Sequence, residues 1–389
     1  MKILIAGCGT VGSVVCKLLS QEKSIKSIIC ADINIQSFGK NAKVHFKHAD
    51  FSNRKQILRL LKNEGYDLIV NTSLPVYNKI LLKCCLENKV NYIDLASYWD
   101  FDRSPKAKCP YKVEQLDFND KFKKKNLVGL INAGISPGLT NLLARKCADT
   151  LEEVEFIRIR LFEDTQTEEL CFPWSIEWLL DEINCKPLVY RNGKFRIMEN
   201  YSEEEVYNFP QPLGERKVCL ISQEEVGTIP QFIKVKNVDI KSYDNQIEIN
   251  KLLVNMGLVS KRKIKIGKNK IAPLQFLSEL LKEKNKEKAN KLKIPDDAQF
   301  GLVVEADGKK DNKNVTIRFS VIFPKQKEIN RLKLDSNFIS YPTALLVKLF
   351  VLSIPKINKY GVYPPELLEE DIRKSILKEL KKYFVIKNF

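Results

Sequence analysis

From residue 1 to about residue 135, short apolar runs alternate with stretches whose apolar residues recur at helical spacing. Residues 3–6, 27–31, 43–46, 67–70, 90–94 and 127–132 read as strands, the third of them weak. Residues 13–20, 54–63, 77–87 and 114–125 read as the helices between them, with an irregular polar stretch over 99–110. Continuous apolar strands separated by helices are what a parallel sheet covered on both faces requires. Beyond residue 150 the period changes to two. Val315, Ile317, Phe319, Val321 and Phe323 alternate with Thr316, Arg318 and Ser320, the pattern of a half-buried antiparallel strand. Its expected partner is 300–306, across a turn at 307–312, and 154–162 and 231–241 read as further strands. Helical patterns over 343–352 and 365–382 end the chain. The fold class is therefore α/β: an N-terminal doubly wound parallel sheet, then an α+β domain on a mainly antiparallel sheet. The expected divisions are 1–135, 136–340 and a C-terminal helical segment, 341–389.

Gly7-Cys8-Gly9-Thr10-Val11-Gly12 follows the first apolar run directly, and Asp32 lies twenty residues past Gly12 at the end of the second. A lone GxGxxG says little. The order strand, glycines, helix, strand, acid at this spacing is the context that a dinucleotide site requires. Gly7 and Gly9 allow a sharp turn close to a pyrophosphate, the N–H groups of Thr10 and Val11 open a helix towards it, and Gly12 lets that helix pack tightly. The Asp32 carboxylate accepts hydrogen bonds from ribose hydroxyls and repels a 2′-phosphate, and neither Ile33 nor Asn34 supplies an arginine for one. NAD is thus expected over NADP in a Rossmann domain. Asp50, after the third strand, is expected near the adenine, and Thr72, Ser73 and Pro75, after the fourth, near the nicotinamide.

With 389 residues and 44% apolar composition the chain can build two cores. The apolar stretch 344–354 is interrupted by Lys348 and too short to cross a bilayer, and the four-residue run before Gly7 is too short for a signal peptide. Ten cysteines form no CxxC pair and only two histidines are present, so neither a metal site nor a disulfide framework is expected. The reading is a cytoplasmic protein with reduced thiols. A net charge of +17 raises nucleic acid as a partner. However, residues 151–260 hold 20 acids against 12 bases, and the lysines of 261–293 are interleaved with glutamates along a helical pattern at 275–292. That pattern describes a solvated helix face, and a small-molecule partner fits better.

Two histidines near the third strand leave hydride transfer, in which the cofactor supplies the bond change, as the suited chemistry. Candidates for a proton or substrate contact lie where the fifth and sixth strands end. Asp94 and Ser97 belong to Tyr92-Ile93-Asp94-Leu95-Ala96-Ser97, and Ser136, Gly138 and Asn141 to the loop Gly134-Ile135-Ser136-Pro137-Gly138-Leu139-Thr140-Asn141. In the second domain Trp174 is a candidate pocket wall, Arg191 a candidate clamp for a carboxylate, and Glu225, with Glu224, a candidate partner for an amine. Each has a plain structural alternative: a capping carboxylate, an ordinary βα loop, a core aromatic, a turn arginine, a solvated acidic turn.

These segments in this order resemble the saccharopine dehydrogenase family, in its reductase-type branch with the lysine 6-dehydrogenases and carboxynorspermidine synthases. The resemblance rests on the glycine fingerprint, residues 92–97, residues 134–141, Pro173-Trp174-Ser175 and Gly361-Val362-Tyr363-Pro364-Pro365-Glu366. It implies an NAD(P)-dependent oxidoreductase acting on a CH–NH group, a C-terminal segment returning to the Rossmann domain, and a homodimer. Many members that form saccharopine or carboxynorspermidine carry an acid where this chain has Ser136, which makes lysine a slight favourite as substrate. The competing reading is a non-catalytic NAD(H)-binding, redox-sensing protein on the same fold.

Overall fold

The computed structural model describes residues 1–34, 41–62, 64–98, 113–169, 172–287 and 294–388. The irregular stretch expected at 99–110 and the end of the helix expected to reach 292 lie outside these residues. Strands β1 (Lys2–Ala6), β2 (Ser27–Asp32), β3 (Val44–His48), β4 (Leu68–Asn71), β5 (Asn91–Asp94) and β6 (Val128–Leu130) form the first sheet. A late strand, Gly361–Tyr363, joins it beside β6. All its pairings are parallel, and β1 lies between β2 and β4. The order therefore reverses between β1 and β4, where an open α/β sheet leaves a crevice at the carboxyl ends of its strands. Ile3, Leu4, Ile5 and Ala6 are completely buried because both faces are covered. Val14, Val15 and Leu19 of the helix Thr10–Ser20 share one core with Leu345 and Phe350 of the helix Ser340–Ser353. Ile57, Leu81, Leu82 and Cys85 close the other face.

The second sheet is built from β7 (Glu153–Asp164), β8 (Leu188–Arg191), β9 (Lys194–Ile197), β10 (Glu205–Phe209), β11 (Gly214–Leu220) and β12 (Asn237–Asp244). A small separate hairpin, β13 (Ile264–Ile266) and β14 (Asn269–Ile271), follows, and β15 (Gln299–Lys310) and β16 (Lys313–Ile322) rejoin the main sheet. The late strands are β17 (Gly361–Tyr363) and β18 (Val385–Asn388), and β18 pairs with β16. Among the described pairings of this sheet, β7 with β12 is parallel and the rest antiparallel. The alternating residues of 315–323 lie on β16, which pairs with β15 as expected.

Several boundaries differ from the sequence reading. The turn expected over 307–312 narrows to Asp311 and Asn312, both left-handed at φ 50° and 57°, the geometry of a two-residue hairpin turn. The strand expected from 231 starts at Asn237, because Val226, Ile229 and Ile233 have helical spacing and the chain is helical over Glu225–Phe232. The last helix splits into a short turn, Pro365–Leu367, and a helix, Glu370–Leu380. Cys8 and Cys30 form a disulfide with Cα atoms 6.1 Å apart, which corrects the expectation of reduced thiols throughout. Parallel pairing sets Ile5 beside Cys30, and the glycine loop then carries Cys8 back over β2; spacing in the sequence gives no sign of this.

Candidate functional site

A cavity of about 1030 Å³ opens at the carboxyl ends of β1 and β4 and runs between the two sheets. Gly7, Gly9, Thr10, Val11, Asp32, Ile33, Asp50, Thr72, Ser73 and Pro75 line one end of it. The turn is held by Gly7 N–H donating to the Ala31 carbonyl at 2.8 Å and by Thr72 Oγ1 donating to the Gly7 carbonyl at 2.7 Å. Gly12 stands one layer back. A Cβ there would lie 2.0 Å from the Gly7 carbonyl oxygen, so only glycine lets the helix come this close to the loop. Among the described residues nothing lies within 4 Å of where a Cβ on Gly9 would project. The first turn of the helix Thr10–Ser20 carries no acid, which leaves its N-terminal N–H groups and dipole available to an anion. Asp32 is held in place by the N–H groups of Cys8 (2.7 Å to Oδ2) and Asn34 (2.9 Å to Oδ1). An open, anion-accepting cradle beside a fixed carboxylate fits a dinucleotide.

At the other end the structure divides the candidates. Ser97, Ser136 and Trp174 line the cavity. Asp94, Gly138, Asn141 and Glu225 do not; they lie behind its wall. Asp94 is completely buried and accepts from Asn132 N–H (2.8 Å) and Gln115 Nε2 (3.2 Å). Burial pushes its pKa up to about 7 despite those bonds. Gly138, at φ 133°, closes the loop so tightly that a Cβ would sit 1.8 Å from the Gly134 carbonyl oxygen, and its N–H donates to Asn141 Oδ1 at 2.9 Å. Glu225 Oε1 accepts the hydroxyls of Ser136 (2.5 Å) and Thr140 (2.6 Å). Arg191 is not brought to the cavity. Its guanidinium is 2.7 Å from Asp239 and 3.0 Å from Glu203, in a network with Arg160 and Glu205 on the second sheet.

The motif reading caught only one member of the strongest electrostatic feature, Glu224. Glu163, Glu182, Glu224 and Asp244 line the cavity, and none has an ion-pair partner among the described residues. Burial, reinforced by the neighbouring Glu225, pushes Glu182 up to about 8. Burial with the same neighbour raises Glu224 well above the carboxylate range. Glu163 and Asp244 are both raised, chiefly by burial. Two further lining acids are neutralised, Glu177 by Lys282 and Asp181 by Lys261. Lys186, Lys261 and Arg262 line the same end, and Trp174 and Trp178 supply aromatic walls. The acid excess of residues 151–260 was the available signal, though burial decides which of those acids count.

Sequence comparison settles the family. Residues 3–130 match the saccharopine dehydrogenase NADP binding domain and residues 134–386 the saccharopine dehydrogenase C-terminal domain. The chain belongs to the saccharopine dehydrogenase family. As a member it is an NAD(P)-binding oxidoreductase of α/β architecture, with a parallel Rossmann sheet and a second, mixed sheet. Among similar family proteins is the carboxyaminopropylagmatine dehydrogenase of Synechocystis, 27% identical over 72% of each chain. The carboxynorspermidine synthase of Vibrio cholerae is 22% identical over 72% of each chain. In fold, the chain is similar to the saccharopine dehydrogenase (L-Glu forming) of Saccharomyces cerevisiae. The TM-score is 0.69 at 14% identity, over 100% of this chain and 99% of that one. It is also similar to the homospermidine synthase of Legionella pneumophila, determined in complex with NAD, with TM-score 0.65 at 14% identity over 100% and 91%. No helix among the described residues is long and apolar enough to cross a membrane.

Proposed function

We propose that this protein catalyses NAD(P)-dependent hydride exchange at a CH–NH bond of an amine bearing two or more positive charges. The observation that carries the reading is the set of four acids, Glu163, Glu182, Glu224 and Asp244, facing the cavity without an ion-pair partner among the described residues. Buried carboxylates crowded this closely hold protons or require cations. A chain of ammonium groups meets that demand, and Trp174 and Trp178 add faces that attract the same cations. Arg262, at the same end, offers the counterpart for a carboxylate on the same molecule. The two curated relatives are named for carboxyaminopropylagmatine and carboxynorspermidine, amines of this kind. A lysine-like amino acid, with two ammonium groups and one carboxylate, is the shortest member of the class and leaves more of the acids unmatched.

Gly7, Gly9, Thr10 and Val11 would hold the pyrophosphate and Asp32 the ribose, with NAD favoured over NADP by that carboxylate. Thr72, Ser73 and Pro75 would flank the nicotinamide, and Asp50 the adenine side. Bound NAD(P) supplies the hydride acceptor or donor; the chain supplies position, charge and proton handling. The test is a panel of lysine, saccharopine, linear polyamines and their carboxyalkyl conjugates with NAD⁺ and NADP⁺, followed by absorbance of the reduced nicotinamide. The expected result is turnover of a triamine conjugate with kcat/KM well above that for lysine. Absence of turnover across the panel would refute the reading, and tight NAD(H) binding without turnover would favour the redox-sensing alternative.

A further inference from the structure

An ammonium group has no lone pair with which to form a C–N double bond, so oxidation at a CH–NH carbon needs a group that takes a proton from nitrogen. We propose that Ser136 and Glu225 form this proton path: the Ser136 hydroxyl accepts the proton from the substrate nitrogen and passes its own to Glu225. The inference rests on the amine chemistry proposed above, and it follows from how the two side chains meet.

Ser136 lines the cavity on the loop after β6, with Gly134, Ile135 and Pro137, and the Thr72–Pro75 segment lines the same cavity. A hydroxyl has one proton to donate, and that of Ser136 is committed to Glu225 Oε1 at 2.5 Å. Ser136 therefore offers a substrate only lone pairs. It is an acceptor for an N–H, with a carboxylate directly behind it. Glu225 is completely buried, and its second oxygen, Oε2, has no hydrogen-bond partner among the described residues. Thr140 Oγ1, at 2.6 Å, is the other donor to Oε1. Among the described residues the charged groups facing Glu225 are acidic: Glu224 and Glu182 from the cavity side, and Glu366 from the C-terminal segment. No cation is paired with it among the described residues. This setting makes the Glu225 carboxylate a strong base: burial raises its pKa and no cation among the described residues offsets its charge, so its ionised form readily takes a proton.

The transfer balances. One N–H bond of the ammonium breaks as an O–H forms on Ser136; the original Ser136 O–H breaks as one forms on Glu225 Oε1. The positive charge on nitrogen and the negative charge on the carboxylate both disappear. The nitrogen then has the lone pair that lets hydride leave its carbon for NAD(P)⁺, the oxidant. In the reductive direction the same proton returns to nitrogen. Glu225 acts through Ser136 and never touches the substrate.

The experiment compares wild-type protein, Glu225→Gln and Ser136→Ala across pH 5.5–10, using the amine from the panel with the highest turnover. NADH affinity, measured by fluorescence, reports whether each variant is folded with its cofactor site intact. The expected result is a loss of about 10²-fold in kcat for both variants at neutral pH, the usual worth of a positioned proton acceptor. NADH Kd should stay within about threefold of wild type, since neither side chain belongs to the glycine cradle. The loss should shrink as pH rises and the free amine form of the substrate becomes abundant. Wild-type turnover with both variants active to within about threefold at every pH would overturn the path while leaving the proposed function standing. So would an equal loss at every pH, which is the mark of a purely structural role. A wild-type protein inactive on the whole panel would overturn both.

Discussion

Glu366 offers a direct measurement of what it costs this fold to keep a carboxyl in its interior. It is completely buried, neither oxygen closes a full hydrogen bond among the described residues, and it sits against Thr228 and Asn141 with Glu225 nearby. Burial, with Glu225 adding to it, pushes its pKa from 4.5 up to about 7. The sign follows directly. Below pH 4.5 the group is neutral in both states and costs nothing electrostatically. Between 4.5 and 7 the unfolded chain gives up the proton and the folded chain keeps it, so stability falls as pH rises and the loss levels off above 7. At about 1.4 kcal/mol per pH unit the ceiling is roughly 3.5 kcal/mol, of which about 2.5 kcal/mol falls between pH 5 and pH 8. With an unfolding entropy of about 2 cal/mol/K per residue, a chain of this length shifts Tm by roughly 3 °C for that amount. Glu366→Gln keeps the shape and cannot ionise. Differential scanning fluorimetry at pH 5, 6, 7 and 8 should therefore show its Tm advantage over wild type growing by up to about 3 °C across the range. The carboxyls held near 2 by lysines, Glu64 and Glu204, titrate below this window and do not contribute. A Tm difference that is flat with pH, or that moves against the variant as pH rises, would refute the reasoning.

Two further substitutions separate the cofactor site from the framework. Asp32→Ala removes the acceptor at the ribose position and the anchor of the Cys8 and Asn34 N–H groups. It should weaken NAD⁺ binding by about 10- to 100-fold, the worth of one or two charge-assisted hydrogen bonds, and NADP⁺ binding much less. Calorimetric titration showing equal losses for the two would place Asp32 away from the ribose. Arg191→Ala leaves the buried Asp239 with Arg160 alone and should destabilise the protein by about 1–3 kcal/mol. KM for substrate and Kd for NAD⁺ should be unchanged, because Arg191 does not reach the cavity. A rise in KM above about fivefold would contradict that placement.

The parallel half of the molecule was legible because its signals are local. The glycine fingerprint, the apolar strands and Asp32 each obey a spacing rule that the sequence displays directly, and they come together at the carboxyl ends of β1 and β4. The charged half was not, because its arrangement depends on which residues folding removes from water. Arg191 and Glu182 look alike in the sequence as charged residues near apolar ones. Strand pairing takes Arg191 to Asp239 on the second sheet, whereas the helix Ile176–Asn184 sets Glu182 against the cavity. The loop at 134–141 lies between these cases. Its glycine and proline announced a tight turn, but its chemical interest comes from Glu225, almost ninety residues away, which reaches Ser136 only after the helix Glu225–Phe232 docks.

Both main sheets are completed by the last thirty residues of the chain. β17 pairs with β6, with Gly361 N–H bonded to the Leu127 carbonyl and Ile131 N–H to the Tyr363 carbonyl, and β18 pairs with β16. During synthesis β6 therefore emerges more than two hundred residues before its neighbour. Until then it presents an open edge of the kind that recruits strands from other molecules. Pairings so distant along the chain form slowly, since a long loop must be ordered before they stabilise anything. Strands β17 and β18 therefore act as a latch: until they arrive β6 and β16 keep an open edge, and their pairing closes it.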